Sequence, residues 1–129
     1  MEQRFRLRRR QDFDRVIGAE RVFAGRAVVA FALPSRDGRW RVGVTVSRRL
    51  RGAVRRNRLR RRLREAAKST LLPPAPAAGS PRESGPSQGP GQGGYDVVLI
   101  GRPAALEMPW SALQEETARV RSRLVRASP

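Results

Sequence analysis

Residues Arg48–Lys68 run RRLRGAVRRNRLRRRLREAAK. Between Arg48 and Arg64 ten of the seventeen residues are arginine and none is acidic. At about 100° per residue, Leu59, Leu63, Ala66, Ala67 and Thr70 fall on one narrow face. Asn57, Arg58, Arg60, Arg61 and Arg64 spread over the rest of the circumference, and Arg56 lies near the edge of the dry face. The spacing predicts a helix that begins near Gly52–Val54 and ends by Leu72. It cannot continue through Pro73-Pro74, where a backbone donor is missing and the ring clashes with the preceding turn. Such a helix has a dry side and a cationic side. Like charges at i and i+4, as in Arg56/Arg60 and Arg60/Arg64, each cost a few tenths of a kcal/mol, about 0.2–0.5. A merely solvated face mixes its signs. The missing acids therefore imply counter-charges on a partner, and the dense polyanion that fits is nucleic acid.

Upstream of this helix, Trp40–Ser47 alternates, with Trp40, Val42, Val44 and Val46 on one side and Arg41, Gly43, Thr45 and Ser47 on the other. That is the pattern of a half-buried strand. The small and hydroxyl side either lines a groove or faces solvent. Arg26–Leu33, RAVVAFAL, reads as another strand ended by Pro34, and Ser35-Arg36-Asp37-Gly38 supplies a turn, so the two strands are expected to form a hairpin. Arg21–Gly25 is long enough only for a brief edge strand. Gln11–Ile17, QDFDRVI, reads as a short helix with Asp12 and Asp14 in its first turn, Phe13, Val16 and Ile17 on one face, and Gly18 as its stop. Met1–Arg10, with five arginines around Phe5 and Leu7, is either a disordered basic arm or an extended segment lying on the fold.

Downstream, residues 73–94 hold six prolines, six glycines and three serines and read as a flexible connector within a single domain spanning residues 1–129. Tyr95–Gly101, YDVVLIG, is a strand whose unbroken apolar run suits a central position, and Arg102-Pro103 breaks it. Trp110–Arg126 places Trp110, Leu113, Thr117, Val120 and Leu124 on a stripe, with Pro109 at a first helical position. That stripe is expected to pack on the sheet. One sheet with helices laid on it is an α+β sandwich.

Composition narrows the chemistry. The net charge is +17, carried by 27 arginines and one lysine, and the sequence pI is near 12.0. Arginine grips phosphates with a planar fork and stacks on bases, although a genome rich in G and C also favours arginine codons. There is no cysteine and no histidine, which excludes disulfides, thiolate nucleophiles and the usual zinc sites. No apolar run reaches the ~20 residues of a membrane span, and no apolar signal-peptide core precedes the fold. A cytoplasmic, soluble protein is expected. Ser47 has no histidine to activate it, Asp12 and Asp14 diverge on a helix, and no glycine-rich phosphate loop occurs. The chain alone reads as a binding module with no catalytic residue. Duplex DNA readers place a few base-reading side chains on a dimer or helix-turn-helix, and neither is evident. RNA fits better: a sheet carrying Phe31 beside a cationic helix could stack single-stranded bases while arginines hold the phosphates. On pattern alone, however, the reading of Phe31 as a plain core aromatic is the favoured one.

Arg41–Glu65, RVGVTVSRRLRGAVRRNRLRRRLRE, closely resembles the protein subunit of bacterial ribonuclease P. The likeness lies in a strand ending V-S-basic-basic, a short turn, A-V, then Arg56-Asn57-Arg58 and further basic residues at Arg60, Arg61 and Arg64. RLRRRQDF around Leu7 and Phe13, the Arg26–Leu33 strand and YDVVLIGRP fit the family in order. The resemblance implies a fold like ribosomal protein S5 domain 2: a small two-layer, mainly antiparallel sandwich with a left-handed βαβ crossover through the basic helix. It implies a subunit that assists a catalytic RNA in removing the 5′ leader of precursor tRNA, the alternative being a general RNA-binding or ribosomal protein. By resemblance, Arg56, Asn57, Arg58, Arg60, Arg61 and Arg64 contact the catalytic RNA with Arg48 and Arg49 beside them. Phe13, Ile17, Phe31, Thr45 and Ser47 match the leader-binding cleft, with Arg48 at its edge, and Ile17 stands where an aromatic is common. Mg²⁺ is expected on the RNA, no metal ligand on the protein, no membrane partner, and a monomeric free protein.

Overall fold

The computed structural model describes residues 6, 7, 9–19, 21–35, 39–71 and 94–127. In chain order the elements are α1 (Arg10–Ile17), β1 (Arg21–Ala24), β2 (Val28–Pro34), β3 (Arg41–Val46), α2 (Ala53–Thr70), β4 (Tyr95–Gly101), α3 (Ala104–Glu107) and α4 (Trp110–Ala127). Apart from Gly94, the expected 73–94 connector lies outside the described residues, as do Arg36–Gly38 of the expected turn.

The four strands form one sheet in the order β1-β2-β4-β3. β4 takes the centre because Val97, Val98, Leu99 and Ile100 offer apolar side chains to both faces, and only an inner strand covers both. Val97, Val98 and Leu99 are fully buried. β2 runs antiparallel to β4, with Val29 opposite Ile100 and Phe31 opposite Val98. β3 runs parallel to β4, with Val42 opposite Val97 and Thr45 opposite Ile100.

The expected β2–β3 hairpin is therefore wrong: β4 sits between the two strands and bonds to both. A polar turn permits a hairpin but does not impose one, and the two-sided apolar surface of β4 is the stronger partner for each. The hairpin that does form joins β1 to β2, closed by Gly25 N–H donating to the Val28 carbonyl at 2.8 Å. The parallel β3–α2–β4 crossover that the resemblance implies is present.

Each sheet face has its own cover. α2 lays Leu59, Leu63, Ala66 and Ala67 on one face, and α4 adds Leu113, Val120 and Leu124. Gly101 lets α2 approach β4 closely, since a Cβ there would lie 2.6 Å from a Leu63 methyl. On the other face α1 caps a smaller cluster of Leu7, Val16 and Val98, flanked by Phe13, Phe31, Leu33 and Ile100. The Leu7 N–H donates to the Val42 carbonyl at 3.1 Å. Of the two readings for the N-terminal stretch, its described part is thus an extended segment on the β3 edge.

The helical bounds differ little from expectation. α1 starts one residue earlier than predicted, and Pro109 stands just outside α4, accepting from Leu113 N–H at 3.1 Å. α3 was not foreseen, because Arg102-Pro103 reads only as a strand breaker. Trp40 precedes β3 but keeps to the side of Val42, Val44 and Val46, its ring 5.4 Å from that of Tyr95 and under the Arg121 guanidinium at 5.4 Å.

Candidate nucleic-acid interface

α2 carries one half of the cationic surface. Gly52 begins it with φ +97°, a backbone setting that suits glycine. Its first turn holds no acid and no side chain caps its N-terminus, so the positive end of the helix dipole adds to the arginines. Asn57, Arg58 and Arg61 are exposed on the outer face beside Val54, itself 74% exposed, and these four line a shallow cavity of about 290 Å³. Arg60 and Arg64 are half-buried at the flank, and Arg60 donates to Asn57 Oδ1 at 2.9 Å.

Two arginines of α2 face inward instead. Arg56 donates to the carbonyls of Leu50 at 2.8 Å and Ser47 at 3.0 Å, with a longer 3.4 Å contact to Val46. It therefore fixes the loop that follows β3. Arg62 donates to the carbonyls of Ala105 at 2.7 Å, Leu106 at 3.1 Å and Met108 at 2.7 Å, and lies 5.8 Å over the Trp110 ring. These are the carbonyls left open where a short helix ends, so Arg62 ties α3 and the start of α4 to α2.

The second half is a cleft of about 330 Å³ on the α1 side of the sheet, lined by Val29, Phe31, Ser47, Arg49, Ile100, Arg102 and Pro103. Its floor comes from alternation: Val29 and Phe31 of β2 and Ile100 of β4 point to the face opposite α2. Its rim is cationic at Arg49 and Arg102. Ser47 holds the rim through two bonds, its N–H donating to the Gly101 carbonyl at 2.8 Å and its Oγ accepting from Arg49 N–H at 3.1 Å. The Arg102 N–H donates to the Ala27 carbonyl at 2.8 Å.

Of the five residues matched to a cleft, Phe31 and Ser47 line it. Thr45 stands half-buried beside Ile100. Phe13 rests on Gly43, where a Cβ would lie 2.5 Å from the phenyl Cζ, and Ile17 is 37% exposed at the end of α1. Arg48 and Arg49 are exposed in the loop, Arg49 as part of the cleft. Val29, Ile100, Arg102 and Pro103 were missed, the first two read as strand core and the others as a breaker.

Two buried acids position these surfaces, and neither was singled out from sequence. Asp96, 0% exposed, accepts from Arg15 of α1 at 2.6 Å and from Arg41 of β3 at 3.0 Å, which seats α1 against the sheet. Glu116 of α4 accepts from the Ala27 and Val28 N–H groups at 2.7 and 2.8 Å, anchoring the start of β2. Paired in this way, both carboxylates satisfy the requirement that a buried charge be bonded. Among the described residues no three His, Cys, Asp or Glu side chains come together in a way that could hold a metal ion, and no helix is long and apolar enough to cross a membrane.

Comparison with known proteins agrees along the whole chain. The family model described as Ribonuclease P matches residues 1–125. A ribonuclease P protein component of Chloroflexus aurantiacus is 36% identical over 131 positions, spanning 100% of this chain and 84% of that protein. One from Symbiobacterium thermophilum is 37% identical over 117 positions, spanning 90% and 87%. Among solved structures, a Staphylococcus aureus RNase P protein mutant with defective mRNA degradation activity superposes with a TM-score of 0.66 at 25% identity, covering 95% of this chain and 89% of that one. The RNase P protein from Thermotoga maritima gives 0.66 at 22%, covering 92% and 96%, and so supports the fold.

Proposed function

Because the chain belongs to the ribonuclease P protein family, we propose that the outer face of α2 docks the catalytic RNA of ribonuclease P while the cleft takes the single-stranded 5′ leader of precursor tRNA. The protein is the RNA-binding subunit of an endoribonuclease that matures tRNA 5′ ends. The observation that carries the division of labour is the separation of two unlike surfaces. One is an exposed helix face of Asn57, Arg58 and Arg61, suited to a folded RNA backbone. The other is an apolar floor of Val29, Phe31 and Ile100 with arginines at its rim, suited to unpaired bases and their phosphates.

Among the described residues no group of three His, Cys, Asp or Glu side chains could hold a magnesium ion. In this reading Mg²⁺ rests on RNA phosphates, and the chain contributes by holding the leader and offsetting repulsion between two polyanions. The free protein is taken to be a monomer that works in the bacterial cytoplasm, where precursor tRNA is processed.

Adding the purified protein to a bacterial ribonuclease P RNA at low Mg²⁺ should switch on precursor-tRNA cleavage. No stimulation, or equal binding to unrelated RNAs, rejects the reading in favour of a general RNA-binding protein. Phe31→Ala should weaken binding of long-leader precursors more than that of leaderless tRNA, and equal losses would remove the leader from the cleft.

A further inference from the structure

A third concavity, of about 250 Å³, lies at the outer edge of β3 and shares no lining residue with the two above. It is lined by Arg6, Leu7, Phe13, Val42, Val44 and Arg64. Arg6 is held there by its chain and not by a loose arm: it bridges Val42 in parallel pairing, and the next residue, Leu7, is 4% exposed and bonded to the same strand. Arg64 reaches the notch from the last turns of α2. Partial burial, then the Arg6 and Arg60 guanidinium groups, hold Arg64 below the usual arginine range, although an arginine at neutral pH stays charged. Among the described residues no carboxylate lines the notch and neither Arg6 nor Arg64 has an acidic partner. Cations drawn together in partly dehydrated space, with nothing opposite them, call for an anion from outside.

We propose that Arg6 and Arg64 clamp a backbone phosphodiester of the catalytic RNA at the β3 edge, so that the N-terminal segment extends the RNA-docking face of α2 around the side of the sheet. The inference rests on the docking role proposed for α2. The RNA subunit is the favoured source because Arg64 belongs to the arginine-bearing flank of α2, whereas no residue that lines the leader cleft also lines the notch. The Leu7 backbone bond and side-chain burial do not depend on the Arg6 guanidinium, so Arg6 can be changed without dismantling the edge.

The test compares the full-length protein with Arg6→Ala and Arg6→Lys, using Arg58→Ala as reference. Affinity for the isolated RNA subunit is measured across a salt series, and affinity of the assembled holoenzyme for precursor tRNA is measured separately. Arg6→Ala should weaken RNA-subunit binding and flatten the slope of log K against log salt by about 0.7–0.9, one phosphate's share, with Arg6→Lys recovering the slope and all thermal midpoints alike. Since the chain has no cysteine, Arg6→Cys also gives a single attachment point for a photo-crosslinker, which should mark the RNA subunit. Normal binding by the unmodified protein with no change in Arg6→Ala overturns the clamp and leaves the docking role standing. A loss confined to precursor tRNA, or crosslinks only to it, overturns the assignment to the catalytic RNA. Failure of the unmodified protein to bind the RNA subunit instead removes the underlying docking role.

Discussion

The inner and outer sides of α2 carry the same residue type to opposite ends. Inward, Arg56 and Arg62 place their guanidinium groups on five closely bonded backbone carbonyls of the Ser47–Leu50 loop and the α3–α4 junction. Outward, Arg58 and Arg61 stand exposed over a shallow cavity. An arginine-rich motif is therefore two devices in one helix: a brace that shapes the protein and an exposed cationic surface, the one proposed to meet a polyanion. Composition does not separate them; the carbonyls opposite each side chain do.

The difference can be broken most directly at Arg62. Arg62→Ala should destabilise the fold by roughly 2–3 kcal/mol, because hydrogen bonds from a charged group are lost and half-buried carbonyls are left open. Chemical denaturation reads this, and the salt slope of RNA binding should not move. Arg62→Lys keeps the charge without the planar fork and should recover only part of the loss. Arg56→Ala comes next, at about 1–2 kcal/mol, with a weakened grip on long leaders as the Ser47–Leu50 loop loosens. A loss of salt slope with unchanged stability would move Arg56 to the outer set. Smallest in stability are Arg58→Ala and Arg61→Ala, expected within about 0.5 kcal/mol of the parent. Each should flatten the salt dependence of RNA-subunit binding by about 0.7–0.9. A thermal midpoint that falls sharply in either variant would erase the distinction.

The parts of this architecture that follow local rules were legible in the sequence. Leu59, Leu63, Ala66 and Ala67 repeat with the period of a helix and are buried together, and the unbroken Val97–Ile100 run marks an inner strand. What failed was pairing. The turn residues after β2 are a local cue, while the strand that claims both β2 and β3 arrives much later in the chain. The braces were illegible for the same reason. Nothing around Glu116 or Asp96 announces which backbone amides or guanidinium groups lie across the fold. Phe31 was ambiguous because a floor residue of an open cleft and a core residue share one alternation pattern, and only the limited cover provided by α1 separates them. Arg102 was invisible as a rim residue because its neighbour Pro103 explained the end of the strand without it.

The position of β4 has a consequence for biosynthesis. It is the keystone of the sheet, yet it leaves the ribosome after both strands it joins, and domains made N-terminus first cannot close around a missing middle. Until Tyr95–Gly101 has emerged, β1–β2 is an unsupported ribbon, β3 has only the short bridge at Arg6 beside it, and the arginine helix lacks the completed sheet it lies on. A nascent chain cut short before that point cannot mature, so the closing step of folding is set by the last strand translated.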